Sequence, residues 1–159
     1  MKNSKLSAVD LRSCHTITNR ETPFILIISK WEELVSSLIK CAEIVKFPSA
    51  YLIGLGALEN PVLGNYNFKE KKHEPKVFQG LYELTNLTGN VIRQDNQYVA
   101  HVHVTLSNLE DHSCNAITGH LMESPIGMFA EIMINPFASS VERKFDHTLQ
   151  SVIIQTSLD

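Results

Sequence analysis

The chain has 159 residues, enough for one ordinary domain with a sizeable core. At 43% hydrophobic and 19% charged it has a globular composition, and no apolar run reaches the roughly 18 residues of a membrane span, so disordered and membrane-spanning classes are excluded. A net charge of −3 argues against strong autonomous nucleic-acid binding, because counterion release rewards a basic face.

Residues Met1 to Arg20 are polar, show no sustained period and read as an N-terminal extension, leaving 21–159 as the domain. Lys2 and Lys5 are not followed by an apolar stretch, so no signal peptide is expected. Cys14, Cys41 and Cys114 are odd in number, widely spaced and lack a CxxC pair. That pattern argues against a disulfide framework and fits a reducing cytoplasm.

Phe24 to Ile28 is a short β-branched run and predicts a strand. Ser29 with Glu32 three residues on has the form of a capping box, which predicts a helix from near Lys30. Trp31, Leu34, Val35, Leu38, Ile39, Ala42 and Val45 recur at helical spacing as one core-facing stripe, and Phe47-Pro48 stops it. A strand follows over Ala50 to Leu58, with Tyr51, Ile53, Leu55 and Ala57 on one face. Gly54 and Gly56 on the other suggest close approach by a neighbouring element.

Gly64 to Phe68 and His73 to Phe78 bracket a charged turn (Lys69, Glu70, Lys71, Lys72) and read as a hairpin. Leu81 to Leu87 and Asn90 to Arg93 read as extended pieces interrupted by Gly89. Gln97 to Ser107 is the clearest strand, Ile126 to Ile134 the next, and Gln150 to Thr156 adds one more. One early helix and many later strands predict an α+β fold: a mainly antiparallel sheet packed on an early amphipathic helix.

Alternation along Gln97 to Ser107 sorts its side chains. Tyr98, Ala100, Val102, Val104 and Leu106 point one way; Val99, His101, His103, Thr105 and Ser107 point the other. His101 and His103 therefore stand side by side with Cα atoms roughly 6.5–7 Å apart, close enough to meet one cation. His-x-His alone also occurs on solvated strands without metal. His120, after Thr118 and a flexible Gly119, is the candidate third ligand, with His112 and Cys114 in the preceding loop as competitors. Imidazoles suit Zn²⁺, Fe²⁺, Ni²⁺ or Cu²⁺, and three of them with an open fourth position match a catalytic rather than a closed structural zinc site. His15, His73 and His147 read as isolated surface residues.

Three stretches carry a family resemblance: Gly54-Leu55-Gly56-Ala57-Leu58 with Leu63-Gly64-Asn65-Tyr66-Asn67; Glu83-Leu84-Thr85-Asn86-Leu87-Thr88-Gly89-Asn90-Val91; and His101-Val102-His103-Val104-Thr105-Leu106 with Gly119-His120-Leu121. In order and spacing they resemble the PPC (plants and prokaryotes conserved) domain, prokaryotic type, over about Phe24 to Thr156. Val141-Glu142-Arg143-Lys144-Phe145-Asp146 is similar to that family's closing segment.

The resemblance implies a curved sheet, a homotrimer, and a divalent metal ion, commonly zinc, on His101, His103 and His120. Plant members bind AT-rich DNA through AT-hooks; no Arg-Gly-Arg-Pro hook occurs in this sequence, so DNA binding is expected to be weak or absent. Glu83 and Glu131 match family positions, where a carboxylate could orient a ligating histidine, act as general base, or only form a surface ion pair. The usual Gly-Gly-His is Thr118-Gly119-His120 here, and the turn from Asn108 to Ala116 is longer than usual.

Three functions are therefore in play. The first is a metal-binding homotrimer with an association or regulatory role. The second is a metal-dependent hydrolase or lyase acting on a small molecule at the metal. The third is a DNA-associated protein. No phosphate loop, nucleophile elbow or dinucleotide fingerprint identifies a substrate.

Overall fold

The computed structural model describes residues 6–94, 96–111, 115–139 and 141–155. His112 and Cys114 lie outside them. In chain order the elements are β1 (Ser7–Asp10), β2 (Phe24–Ser29), α1 (Leu34–Val45), β3 (Ser49–Glu59), β4 (Val62–Asn67) and β5 (Lys72–Val77). They continue with β6 (Leu81–Gln94), β7 (Gln97–Asn108), β8 (Ala116–Glu123), β9 (Ile126–Phe137), β10 (Glu142–Asp146) and β11 (Ser151–Gln155). A short 3-10 turn also occurs at Cys14–Thr16.

The strands make one mixed, mostly antiparallel sheet in the order β1-β2-β9-β3-β6-β7-β8-β4-β5. The β10–β11 hairpin hangs off β6 through the bridge between Glu142 and Arg93. The parallel contacts are that bridge and the pairing of β1 with β2. Polar residues in β1 hid that strand from a periodicity reading, yet Val9 is buried and Cys14 beyond it is wholly buried. The Cys14 thiol lies 3.0 Å from that of Cys41 on α1, a proximity that their sequence spacing does not show. Among the described residues, no helix is long and apolar enough to cross a membrane.

The helix begins later than the capping box predicts. Trp31 has φ 73°, a left-handed conformation incompatible with a helical first turn, and its side chain is 68% exposed. The Ser29 N–H does donate to the Glu32 carboxylate at 2.7 Å, but this closes a turn rather than a helix start. Glu33 is the cap: its carboxylate accepts from the N–H groups of Val35 (3.0 Å) and Ser36 (2.6 Å), and also of Ser124 (3.1 Å), tying α1 to the start of β9. Lys46, left-handed with φ 61°, ends the helix one residue before Phe47-Pro48.

Leu34, Leu38, Cys41, Ala42 and Val45 are buried on α1, which packs on β7, β8 and β6. The same core takes Leu84, Leu87 and Val91 of β6 and Val102, Val104 and Leu106 of β7. At the transfer value of ~25 cal/mol per Å² of apolar area removed from water, each such side chain stabilises the fold by roughly 1.5–3 kcal/mol before entropy is counted. The reverse of β7 is thus held rigidly, and its other face is presented outward.

Two strand readings need correction. Tyr51, Ile53 and Leu55 do share a face, but it is the exposed one, and Ala57 leaves it. The register of β3 shifts at Gly56, so Ala57 and Leu58 are both buried. Gly56 (φ 154°) needs its missing side chain, since a Cβ there would lie 2.7 Å from the Ala130 Cα on β9. Gly89 does not interrupt β6, which runs unbroken for 14 residues. Its missing Cβ instead lets the His101 carbonyl of β7 pass close.

One cross-strand row organises the outer face. Ile25 is opposite Met133, Met133 opposite Ile53, Ile53 opposite Thr88, Thr88 opposite His103, His103 opposite His120, and His120 opposite Gly64. Directly paired residues share a face, so the exposed apolar patch on β2, β9 and β3 and the histidines on β7 and β8 belong to one surface.

Candidate metal centre

His101 and His103 come from alternate positions of β7, and antiparallel pairing with β8 sets His120 against His103. Ring centroids are 5.1 Å apart for His101 and His103, 5.0 Å for His101 and His120, and 5.4 Å for His103 and His120. One nitrogen from each ring lies within 4.8 Å of the others. His101 Nε2 and His103 Nε2 are 3.2 Å apart. Two imidazoles on a tetrahedral cation, with bonds of ~2.0–2.1 Å, hold their nitrogens about 3.3–3.4 Å apart, so this pair is already spaced for one. The Nδ1 of His120 is buried with no hydrogen-bond partner, an orphan polar atom of the sort that an unbound ligand explains. The donor set and its spacing fit a divalent cation.

The surroundings keep these imidazoles neutral. Burial, then the charges of Arg143, His103 and His73, pushes His101 down to about 4. Burial and the neighbouring histidines, His101 foremost, bring His120 to about 4 as well. His103, the most exposed of the three, is lowered by burial and by His73. Neutral imidazole is the form that binds metal, so the pocket is poised for ligation.

Arg143 completes the site. It reaches from β10, is 9% exposed, and donates through one terminal nitrogen to His101 Nδ1 at 2.7 Å and to Asn90 Oδ1 at 3.0 Å; Asn90 is the partner of His101 in the β6–β7 register. The other terminal nitrogen faces the Val152 carbonyl at 3.5 Å, and the buried Nε has no partner. Burial lowers the guanidinium pKa from its ordinary value.

The structure thus brings together the three histidines singled out in the sequence. It also adds two residues that periodicity did not flag. Arg143 stood in a segment noted only for its resemblance. His73 is not isolated: it is exposed on β5, yet its ring stacks on His120 at 4.5 Å. Its hairpin position opposite Tyr66 was the available signal, because β4 continues into the pairing with His120. His15 and His147 are exposed, bonding to the Arg12 carbonyl and touching Phe145 respectively. Glu83 faces Ser107, and Glu131 faces Leu55 from β9, three strands along the sheet from β7. Among the described residues the hydrogen-bond contacts of the histidine rings in the triad are to one another and to Arg143. Gly119 is an ordinary strand residue opposite Val104, and a Cβ there would meet Leu63 at a tolerable 3.4 Å.

A mostly antiparallel mixed sheet with one helix, carrying a three-histidine cluster on its outward surface, defines a small α+β domain with a candidate cation site. The Plants and Prokaryotes Conserved (PCC) domain matches residues 15–138, and the chain belongs to that family. No curated protein sequence gives a significant match. Among solved structures, the plant- and prokaryote-conserved (PPC) protein of Pyrococcus horikoshii is 27% identical with a TM-score of 0.76, over 86% of this chain and 94% of that one. A Bacteroides thetaiotaomicron protein with a provisional DNA-binding name is 25% identical with a TM-score of 0.77, over 84% and 91%. A protein of Archaeoglobus fulgidus described as metal-containing is 22% identical with a TM-score of 0.75, over 85% and 94%; at that identity the likeness carries the fold alone.

Proposed function

We propose that this chain is a metal-binding, homotrimeric member of the family with an association or regulatory role in the cytoplasm. His101, His103 and His120 would hold a divalent cation, with zinc the best match to an all-imidazole set that keeps one position open. The observation that carries this reading is the convergence of three neutral ring nitrogens within 4.8 Å on two neighbouring strands.

Assembly draws on the outer face. Ile53 and Leu55 are 51% and 56% exposed, and with Ile25 and Met133 they line an apolar groove broken only by Glu131. A patch of this kind marks an interaction surface more often than bare solvent contact. The two buried thiols suit a reducing compartment. DNA association stays weak in this reading, because the net charge is −3 and no hook is present.

A second reading, metal-dependent hydrolase or lyase, draws on the cavity that borders His101 and His120. A bound zinc ion would supply an acidified water there. The first reading is tested by elemental analysis of untagged protein purified without chelator. About one zinc-class ion per chain is expected, and metal-free protein that takes up none on titration ends the proposal.

A further inference from the structure

The cavity of about 360 Å³ beside the triad runs between the β4–β5 hairpin and the β10–β11 hairpin. Among the described residues its charged lining, Lys71, Lys72 and Arg143, is cationic and includes no carboxylate, and the imidazoles of His73, His101 and His120 border it as well. This sign runs against the acidic balance of the chain as a whole. Among the described residues no salt bridge reaches Lys71, Lys72 or Arg143. Arg143 is the telling one, since a guanidinium that is only 9% exposed and has an unpartnered Nε is a buried charge lacking its counter-ion. Burying such a group is unfavourable unless something anionic completes it.

We propose that this cavity is a receptor for a small oxyanion, a carboxylate or phosphate group, with Arg143 as its principal contact. The planar fork of a guanidinium matches either group through paired N–H donors. Lys72 and Lys71 add positive charge at the mouth.

A coupling follows, and this step rests on the metal-site reading above. Arg143 donates to His101 Nδ1 at 2.7 Å, which requires a lone pair on Nδ1. A neutral His101 then carries its proton on Nε2, the nitrogen that faces His103 Nε2 at 3.2 Å. Ligation through that Nε2 demands the other tautomer, with the proton on Nδ1 pointing at the N–H of Arg143. Metal-bound histidines ordinarily give this proton to an acceptor, so a guanidinium is the wrong partner. With His101 Nε2 engaged by a metal ion, Arg143 loses its His101 acceptor and keeps Asn90 Oδ1, so the guanidinium is released to turn towards the cavity. Cation and oxyanion therefore bind with positive coupling, each favouring the Arg143 position that suits the other.

The test titrates the full chain by calorimetry with inorganic phosphate and, separately, with succinate, each without metal and with one equivalent of Zn²⁺. Both probes should bind, and about tenfold more tightly with zinc present. Arg143→Gln should lose at least about tenfold in anion affinity while binding zinc alone at least as tightly as the parent, because the opposed donor is gone. A merely structural arginine would instead weaken zinc binding on removal. Nitrogen-15 NMR of the parent supplies a reading that needs no variant to fold: His101 should carry its proton on Nε2 before zinc and on Nδ1 after. The receptor is overturned if neither probe binds, or if Arg143→Gln binds them as the parent does. The coupling is overturned if zinc leaves anion affinity unchanged, or if His101 already carries its proton on Nδ1 in the metal-free chain. A parent that takes up no zinc ends the metal reading and the coupling, while phosphate and succinate binding to the metal-free chain still decides the receptor.

Discussion

His103 on β7 and His120 on β8 face each other directly across an antiparallel pair, and that single register places two imidazoles from separate segments over one point. His101, two positions along β7, closes the triangle. Replacing His103 by Ala should therefore cut zinc content at least about tenfold, since three protein ligands become two. The fold should survive, because the buried side chains of β7 are Val102, Val104 and Leu106 on the reverse face. Elemental analysis of parent, His103→Ala and His112→Ala decides it. Equal metal in parent and His103→Ala removes the triad, and loss in His112→Ala moves a ligand into the 112–114 stretch.

Protons should compete with metal later than at an ordinary histidine site. His101 and His120 are held near 4 against an unperturbed 6.5, so the ligating neutral forms persist as pH drops. Zinc affinity should hold through pH 6.5 and be lost as pH falls towards the lowered values. An affinity that falls steeply between pH 7 and 6, measured by competition with a chelator of known pH dependence, would contradict this.

The metal-free fold should show the matching signature. Above pH 6.5 these imidazoles are neutral in both folded and unfolded chains. Between 6.5 and about 4 the unfolded chain takes up protons that the folded chain refuses, so stability declines across that window as pH drops. The melting temperature of chelator-treated protein should fall from pH 6.5 to 4, and this decline should be smaller in His101→Gln. A flat profile would show the histidines to be freely solvated.

Exposed apolar residues give the assembly its test. Ile53→Glu and Leu55→Glu place charge where each side chain is half exposed in the single chain, so monomer stability should change by less than about 1 kcal/mol. Sedimentation at micromolar concentration should show a trimer for the parent and a monomer for the variants. A monomeric parent would remove the trimer.

Glu33 offers a prediction independent of metal. Its carboxylate accepts three backbone N–H groups, so Glu33→Ala should cost about 1–2 kcal/mol in denaturant unfolding. Glu32→Ala should cost less, because that carboxylate accepts only the Ser29 N–H outside the helix. Equal losses would show that the turn, and not α1, depends on these acids.

Local periodicity alone determined most of the strands, the core stripe of α1 and the placement of His101 with His103 on one face. Side-chain direction repeats every two residues in a strand and every 3.6 in a helix whatever lies far away. The start of α1 escaped that reading because a left-handed Trp31 uses the same residue pattern as a capping box. The parity of β3 escaped it because the register shift at Gly56 depends on how closely β9 approaches. Only the tertiary structure set Arg143 against His101 across 42 residues, stacked His73 on His120 and brought Cys14 to Cys41. Those meetings depend on strand order and register, which are decided by the burial of the whole sheet against its helix and leave no mark in any one segment.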